Sequence, residues 1–117
     1  IVEKYKVSSM FSSPTAIRVL KQHSNEFVKQ CDTSSLKTLF LAGEPVDAPS
    51  TQWIDEALEK KTKIIDNYWQ TETGAPILSA MYGVEKTKLK PGSPSFPVYG
   101  YDIVLIDEQT GKEIEKP

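Results

Sequence analysis

The chain has 117 residues, 38% hydrophobic and 26% charged, which fits one small globular domain or a piece of a larger one. Its 14 basic and 16 acidic residues are interspersed and leave a net charge of -2, which argues against a general nucleic-acid or membrane surface. No apolar stretch approaches the roughly 20 residues that span a bilayer, the single cysteine precludes an internal disulfide, and no Cys/His spacing resembles a zinc site.

In chain order, Ile1 to Tyr5 reads as the tail of a helix already under way. Lys6 to Ser12 is a short strand candidate with Val7, Met10 and Phe11 as its apolar members. Ser13 can cap the following helix and Pro14 can occupy its first position without losing a hydrogen bond. Ala16, Val19, Leu20, Phe27 and Val28 then recur at roughly helical spacing and predict a face turned to a core. Cys31 to Ser35 is a polar break. Leu36 to Ala42 predicts the second strand, ended by Gly43.

Asp47 predicts the cap of a second helix, with Pro49 in its first turn and Trp53, Ile54, Ala57 and Leu58 on its buried face. Lys60 to Lys63 would place positive charge near its carboxyl end, where the helix dipole favours it. Lys63 to Tyr68 predicts a third strand. Strand, helix, strand, helix, strand with short links implies an α/β fold, a parallel-sheet βαβαβ unit with right-handed crossovers. After Gly74, Ile77 to Met81 is a further strand candidate. The proline-rich run from Pro91 to Pro97 is read as irregular, because each proline lacks an amide donor. It would link residues 1–90, an α/β subdomain, to residues 91–117, the start of a small β unit. That unit would hold a strand over Tyr101 to Asp107, a turn at Glu108 to Gly111 and a return over Lys112 to Glu115. The sequence stops at Lys116-Pro117 with no closing element, so it reads as a segment of a longer protein.

Two loops carry the chemistry. Leu41-Ala42-Gly43-Glu44-Pro45 and Asp66-Asn67-Tyr68-Trp69-Gln70-Thr71-Glu72-Thr73-Gly74 each begin where a strand ends, so both emerge at the carboxyl edge of a parallel sheet, where such folds bind ligands. Gly43 lets a flat group approach the backbone, and Pro45 restricts Glu44 to an extended conformation. Gly-Glu-Pro alone is more often a routine connection. Tyr68 and Trp69 point to opposite sides; alone, they read equally well as core aromatics. Thr71 offers a hydroxyl to a phosphate and Glu72 a carboxylate to Mg²⁺, although a Thr-Glu pair is commonly a solvated turn. Their joint occurrence fits a purine, a phosphate and a metal ion. A rival reading pairs Glu44 with Glu72 as the acid and base of a hydrolase.

These runs, together with Pro14-Thr15-Ala16-Ile17-Arg18, Lys90-Pro91-Gly92-Ser93-Pro94 and Gly100-Tyr101, resemble the acyl-adenylate-forming enzymes, and among them the AMP-forming short-chain acyl-CoA synthetases. The resemblance runs over the whole chain in order and spacing. The wording from Asp66 to Glu72 is nearest to propionyl-CoA synthetases, with acetyl-CoA synthetases next. The resemblance implies that Gly43, Glu44 and Pro45 lie along one face of the adenine of ATP or AMP. Asp66, Asn67 and Tyr68 would lie on its other face and edge, with Gln70 in the same nucleotide-binding run. Thr71 would contact the α-phosphate and Glu72 would associate with Mg²⁺. Trp69 would close the acyl pocket and Ala42 would tune it: acetate enzymes often carry valine there, and alanine leaves room for about one more methylene. Ser13, where the family often has alanine, would lie near the path of CoA.

The implied reaction activates a short-chain carboxylate as its adenylate and transfers the acyl group to CoA. The family's phosphate loop and its C-terminal domain with a catalytic lysine have no counterpart in these residues, so the rest of a parent chain would supply them and this segment alone would be inactive. A non-catalytic nucleotide-binding module of the same fold is the other reading. A cytoplasmic location is expected, with the mitochondrial matrix as the alternative.

Overall fold

The computed structural model describes residues 1–114 and is built on three parallel strands: β1 (Ser9–Ser12), β2 (Thr38–Leu41) and β3 (Lys63–Tyr68). Ser9 pairs with Thr38 and Ser12 with Leu41; Thr38 pairs in turn with Lys63 and Leu41 with Asp66. Before them stands a single turn, α1 (Val2–Tyr5). The crossover from β1 to β2 carries α2 (Pro14–Lys21) and α3 (Glu26–Lys29), and that from β2 to β3 carries α4 (Ala48–Ala57). β3 coincides with its sequence prediction, whereas β1 and β2 are trimmed at their ends.

Because side chains alternate across a strand, Met10, Leu39, Leu41 and Ile64 form one face of the sheet. They pack with Ile17 of α2 and with Ile54, Ala57 and Leu58 at α4. Leu39 and Leu41 are 0% exposed. Fully burying a leucine is worth about 1.5–3 kcal/mol, so these two anchor the layer. The opposite face carries Phe11, Phe40, Ile65 and Asn67 and borders an open apolar cavity of about 610 Å³.

Both caps form as the sequence predicts. The Ser13 hydroxyl accepts from the Ala16 amide at 3.2 Å, and the Asp47 carboxylate accepts from the Ser50 amide at 2.8 Å. The apolar face expected between Ala16 and Val28 does not. The chain breaks between α2 and α3, and Ile17 with Pro14 supplies the burial while Val19, Leu20 and Phe27 are exposed. Val19 lies roughly 200° round the helix from Ile17, so only one of them can face the sheet. The cluster Lys60 to Lys63 is also not in the last turn of α4. The helix ends at Ala57, Glu59 and Lys60 take left-handed conformations (φ 55 and 57), and Lys63 opens β3.

Beyond β3 the sheet changes direction. β4 (Leu78–Ser79) lies antiparallel to β3 and β5 (Phe96–Pro97) antiparallel to β4, giving the order β1-β2-β3-β4-β5. Phe96 and Pro97 are thus regular structure inside a run read as irregular. An outer strand tolerates proline because its amide side needs no partner. Tyr101 to Asp107 forms no strand: it meets only an isolated bridge between Ile106 and Glu113, and Ile103 to Ile106 are exposed. A lone two-stranded ribbon without a covering layer is marginal in water. The turn at Glu108 to Gly111 is present, held by the Asp107 carboxylate accepting from the Thr110 amide at 2.7 Å. Glu115, expected in the return segment, lies outside the described residues. No helix among the described residues is long and apolar enough to cross a membrane.

Candidate functional site

Three segments leave the carboxyl edge of the parallel strands side by side: Ser13 after β1, Ala42 to Pro45 after β2, and Trp69 to Gly74 after β3. Gly43 has φ +100, and a Cβ built there meets nothing within 4 Å. The loop therefore offers bare backbone to open space in a conformation that L side chains resist.

The Glu44 carboxylate is already engaged. It accepts from the Thr15 amide at 2.8 Å, from the Thr15 hydroxyl, and from Arg18 Nη1 at 2.8 Å. Arg18 also donates through Nη2 to the Pro45 carbonyl at 2.7 Å and through Nε to Asp47 at 3.2 Å. One guanidinium thus fastens α2 to the glycine loop and to the cap of α4. A planar fork of donors suits this multiple contact; a lysine's single point charge does not. The hydroxyl of Thr15, and then Arg18, hold the Glu44 carboxyl below its ordinary value. Ser50, and behind it Arg18, bring Asp47 down to about 2. Glu44 is therefore a strut that flattens the loop, and it is not available as one half of an acid–base pair with Glu72.

On β3, Asp66 and Tyr68 fall on the helix face and Asn67 on the other. Burial pushes the Asp66 carboxyl up from its ordinary value. Its side chain borders a cavity of about 290 Å³ that is also lined by Val46, Lys90 and Gly92, so the Lys90-to-Ser93 run returns to the two loops. The side chain of Asn67 is spent internally. Its Nδ2 donates to the carbonyls of Leu41 at 3.2 Å and Ile65 at 3.0 Å, while its Oδ1 accepts from the Ser79 hydroxyl at 2.7 Å.

Thr71 to Thr73 form a 3-10 turn closed by Gly74 at φ 66. Thr73 braces it: its Oγ1 accepts from the Gln70 amide at 3.1 Å and lies 2.8 Å from the Gln70 carbonyl and 3.0 Å from that of Ala75. Gln70 Nε2 donates to the Tyr68 hydroxyl at 3.0 Å, which steadies that ring. Thr71 and Glu72 are exposed, and among the described residues neither side chain has a hydrogen-bond or ionic partner. A single outward carboxylate is the donor set Mg²⁺ uses when nucleotide phosphates and water complete its shell. No cage of three or more His, Cys, Asp or Glu forms among the described residues.

Ala42 is buried, 6% exposed, and one step past β2 it turns to the side of Phe40. Trp69, 38% exposed, stands edge-on to Phe11 with ring centroids 5.4 Å apart. Thr15, Arg18, Thr73 and Phe11 are the residues whose part in the site sequence reasoning missed. For Arg18 a signal existed: a basic residue in the helix that follows β1, and two acids three positions apart around the glycine loop. Phe11 gave none, since its neighbours come from other strands.

The model of the family described as AMP-binding enzyme matches residues 1–117. The chain is 49% identical over 112 residues to the propionate–CoA ligase of Escherichia coli K12, covering 96% of this chain and 18% of that protein. It is 40% identical over 118 residues to the acetyl-coenzyme A synthetase of Cryptosporidium parvum, covering 100% of this chain and 17% of that one. The crystal structure of the anthranilate CoA ligase AuaEII in complex with anthranoyl-AMP superposes with a TM-score of 0.80 at 28% identity, over 97% of this chain and 20% of that chain. The chain thus spans less than a fifth of the length of these curated relatives, and with its whole length matched it belongs to the AMP-binding enzyme family.

Proposed function

We propose that this chain is the adenine-and-acyl-pocket section of an AMP-forming acid–CoA ligase acting on short-chain carboxylates, with propionate preferred. The observation that carries the reading is the meeting of the two loops at one sheet edge, Gly43 baring its backbone and Thr71 and Glu72 exposed, without side-chain partners among the described residues. Adenine lies between the flat Gly43-Glu44-Pro45 backbone and the Asp66-to-Tyr68 strand end, with Tyr68 covering it. Thr71 donates to an α-phosphate oxygen, and Glu72 would hold Mg²⁺, which would supply neutralisation of phosphate charge. The substrate carboxylate attacks the α-phosphorus and pyrophosphate leaves. The thiolate of CoA, reaching the acyl carbon past Ser13, then displaces AMP. The first step needs no strong base, because its nucleophile is already ionised; it needs alignment and charge stabilisation.

Trp69 sets the length of the acyl space and Ala42 its width. One methylene in an apolar pocket is worth about 1–3 kcal/mol, so Ala42 gives preference for propionate and not exclusivity. The acetate–CoA ligase reading is supported by the 40% identity to an acetyl-coenzyme A synthetase and differs only at this level. The phosphate loop and C-terminal domain belong to the rest of the parent chain. The division into residues 1–90 and 91–117 is part of the same proposal, although the sheet keeps Phe96 and Pro97 and the chain leaves it only after Pro97.

The test is AMP release by the full-length parent with ATP, Mg²⁺ and CoA, offering acetate, propionate, butyrate and hexanoate in turn. A maximum at propionate with little turnover beyond butyrate is expected. A maximum at acetate removes the Ala42 argument, and no AMP with any acid from a folded, ATP-binding protein removes the ligase reading.

A further inference from the structure

We propose that Phe11, outside both loops, is a specificity-determining residue: it holds the Trp69 indole in place and so sets the acyl length that the pocket accepts. The proposal rests on the reading of Trp69 as the pocket wall. Trp69 lies one residue beyond the end of β3, and its indole N–H has no hydrogen-bond partner among the described residues. Its aromatic contact is with Phe11, edge to face at 5.4 Å and 63°. Phe11 in turn stacks on Phe40 at 5.6 Å and 15°, and the two are register partners across β1 and β2.

The ring of Phe11 therefore transmits the rigidity of two paired strands to a loop side chain that has no polar anchor among the described residues. Cross-strand aromatic pairs are a main source of side-chain order on a sheet face. Behind Phe11 the same face borders the apolar cavity of about 610 Å³, which Phe11 and Phe40 both line. Truncating Phe11 joins the space beside the indole to that cavity. The indole then has somewhere to tilt, and the acyl space lengthens.

The experiment compares kcat/KM for acetate, propionate, butyrate and valerate in the full-length parent and in its Phe11→Ala, Phe11→Leu, Phe11→Tyr and Trp69→Gly variants. In Phe11→Ala the butyrate-to-propionate and valerate-to-propionate ratios should each rise about tenfold, the scale of one methylene, with KM for ATP unchanged. Phe11→Tyr, which keeps the ring, should retain the parental profile, and Phe11→Leu should fall between. If Phe11→Ala does not fold, a shifted Phe11→Leu beside an unshifted Phe11→Tyr still supports the proposal. Trp69→Gly broadening the range while every Phe11 variant keeps the parental profile overturns it and leaves the pocket reading standing. A uniform fall with all acids also overturns it, since that marks a structural role. If Trp69→Gly itself fails to admit longer acids, the pocket reading falls and the proposal with it.

Discussion

Removing the Arg18 guanidinium takes one contact each from the Glu44 carboxylate, the Pro45 carbonyl and the Asp47 carboxylate, leaving Glu44 on Thr15 and Asp47 on Ser50. In the full-length parent, Arg18→Met should raise KM for ATP by about tenfold, the scale of a small misplacement in a binding surface, and leave the ratio of propionate to acetate turnover unchanged. Steady-state kinetics with both acids checks this. Protonation acts on the same clamp. Glu44 and Asp47 have folded values below their ordinary 4.5 and 3.8. Their contribution to stability is thus present above those ordinary values and lost as pH falls through each lowered value, which for Asp47 is about 2. Asp66 runs the other way: burial raises its value above 3.8, so it costs stability as pH climbs through the raised value. Asp66→Asn should raise the Tm at pH 7 and leave it nearly unchanged at pH 3, as thermal melts across pH would show. The sequence marked Glu44 and Asp66 as ligand-loop residues and Asp47 as a helix cap; the hold of Thr15 and Arg18 on Glu44 was not legible, because both come from a helix 26 to 29 residues away.

Among the elements, β3 carries the most. It is the last parallel strand and the first antiparallel one, and Asn67 ties both halves through Leu41, Ile65 and Ser79. Asn67→Ala takes this partner from a buried hydroxyl and two carbonyls and should destabilise the fold by about 1–3 kcal/mol, measurable by urea denaturation. The helices and parallel strands were legible because their signals are local: Ser13-Pro14 and Asp47-Ala48-Pro49 announce helix starts, and Ile64-Ile65 marks a central strand. β5 and the failed strand at Tyr101 to Asp107 were not legible, for one reason seen from two sides. A strand exists only where another offers its edge. Phe96-Pro97 finds β4 despite its proline, and Tyr101 to Asp107 finds no sheet despite its apolar residues. The two ligand loops were read from wording, and their meeting at one edge followed from the strand order.

Taken whole, the chain is drawn out. Its radius of gyration is 16.1 Å, against about 13 Å for a compact domain of this size, and apolar side chains from Phe11 to Ile106 stand exposed. Expressed alone, residues 1–117 should bind a hydrophobic dye strongly and associate at micromolar concentration, whereas the full-length parent should do neither; fluorescence and sedimentation decide it. The change of strand direction at β3 also fixes an order of assembly. Asn67 and Ser79 are 12 residues apart and can meet through a short loop, while β1 reaches β2 only after α2 and α3 have been laid down between them. Closing the longer connection costs more chain entropy before any contact returns it. The hairpin of β3 and β4, which carries the Trp69-to-Gly74 loop at its bend, is therefore the part of the sheet able to form first, with the adenine-facing glycine loop joining it only when the crossovers close.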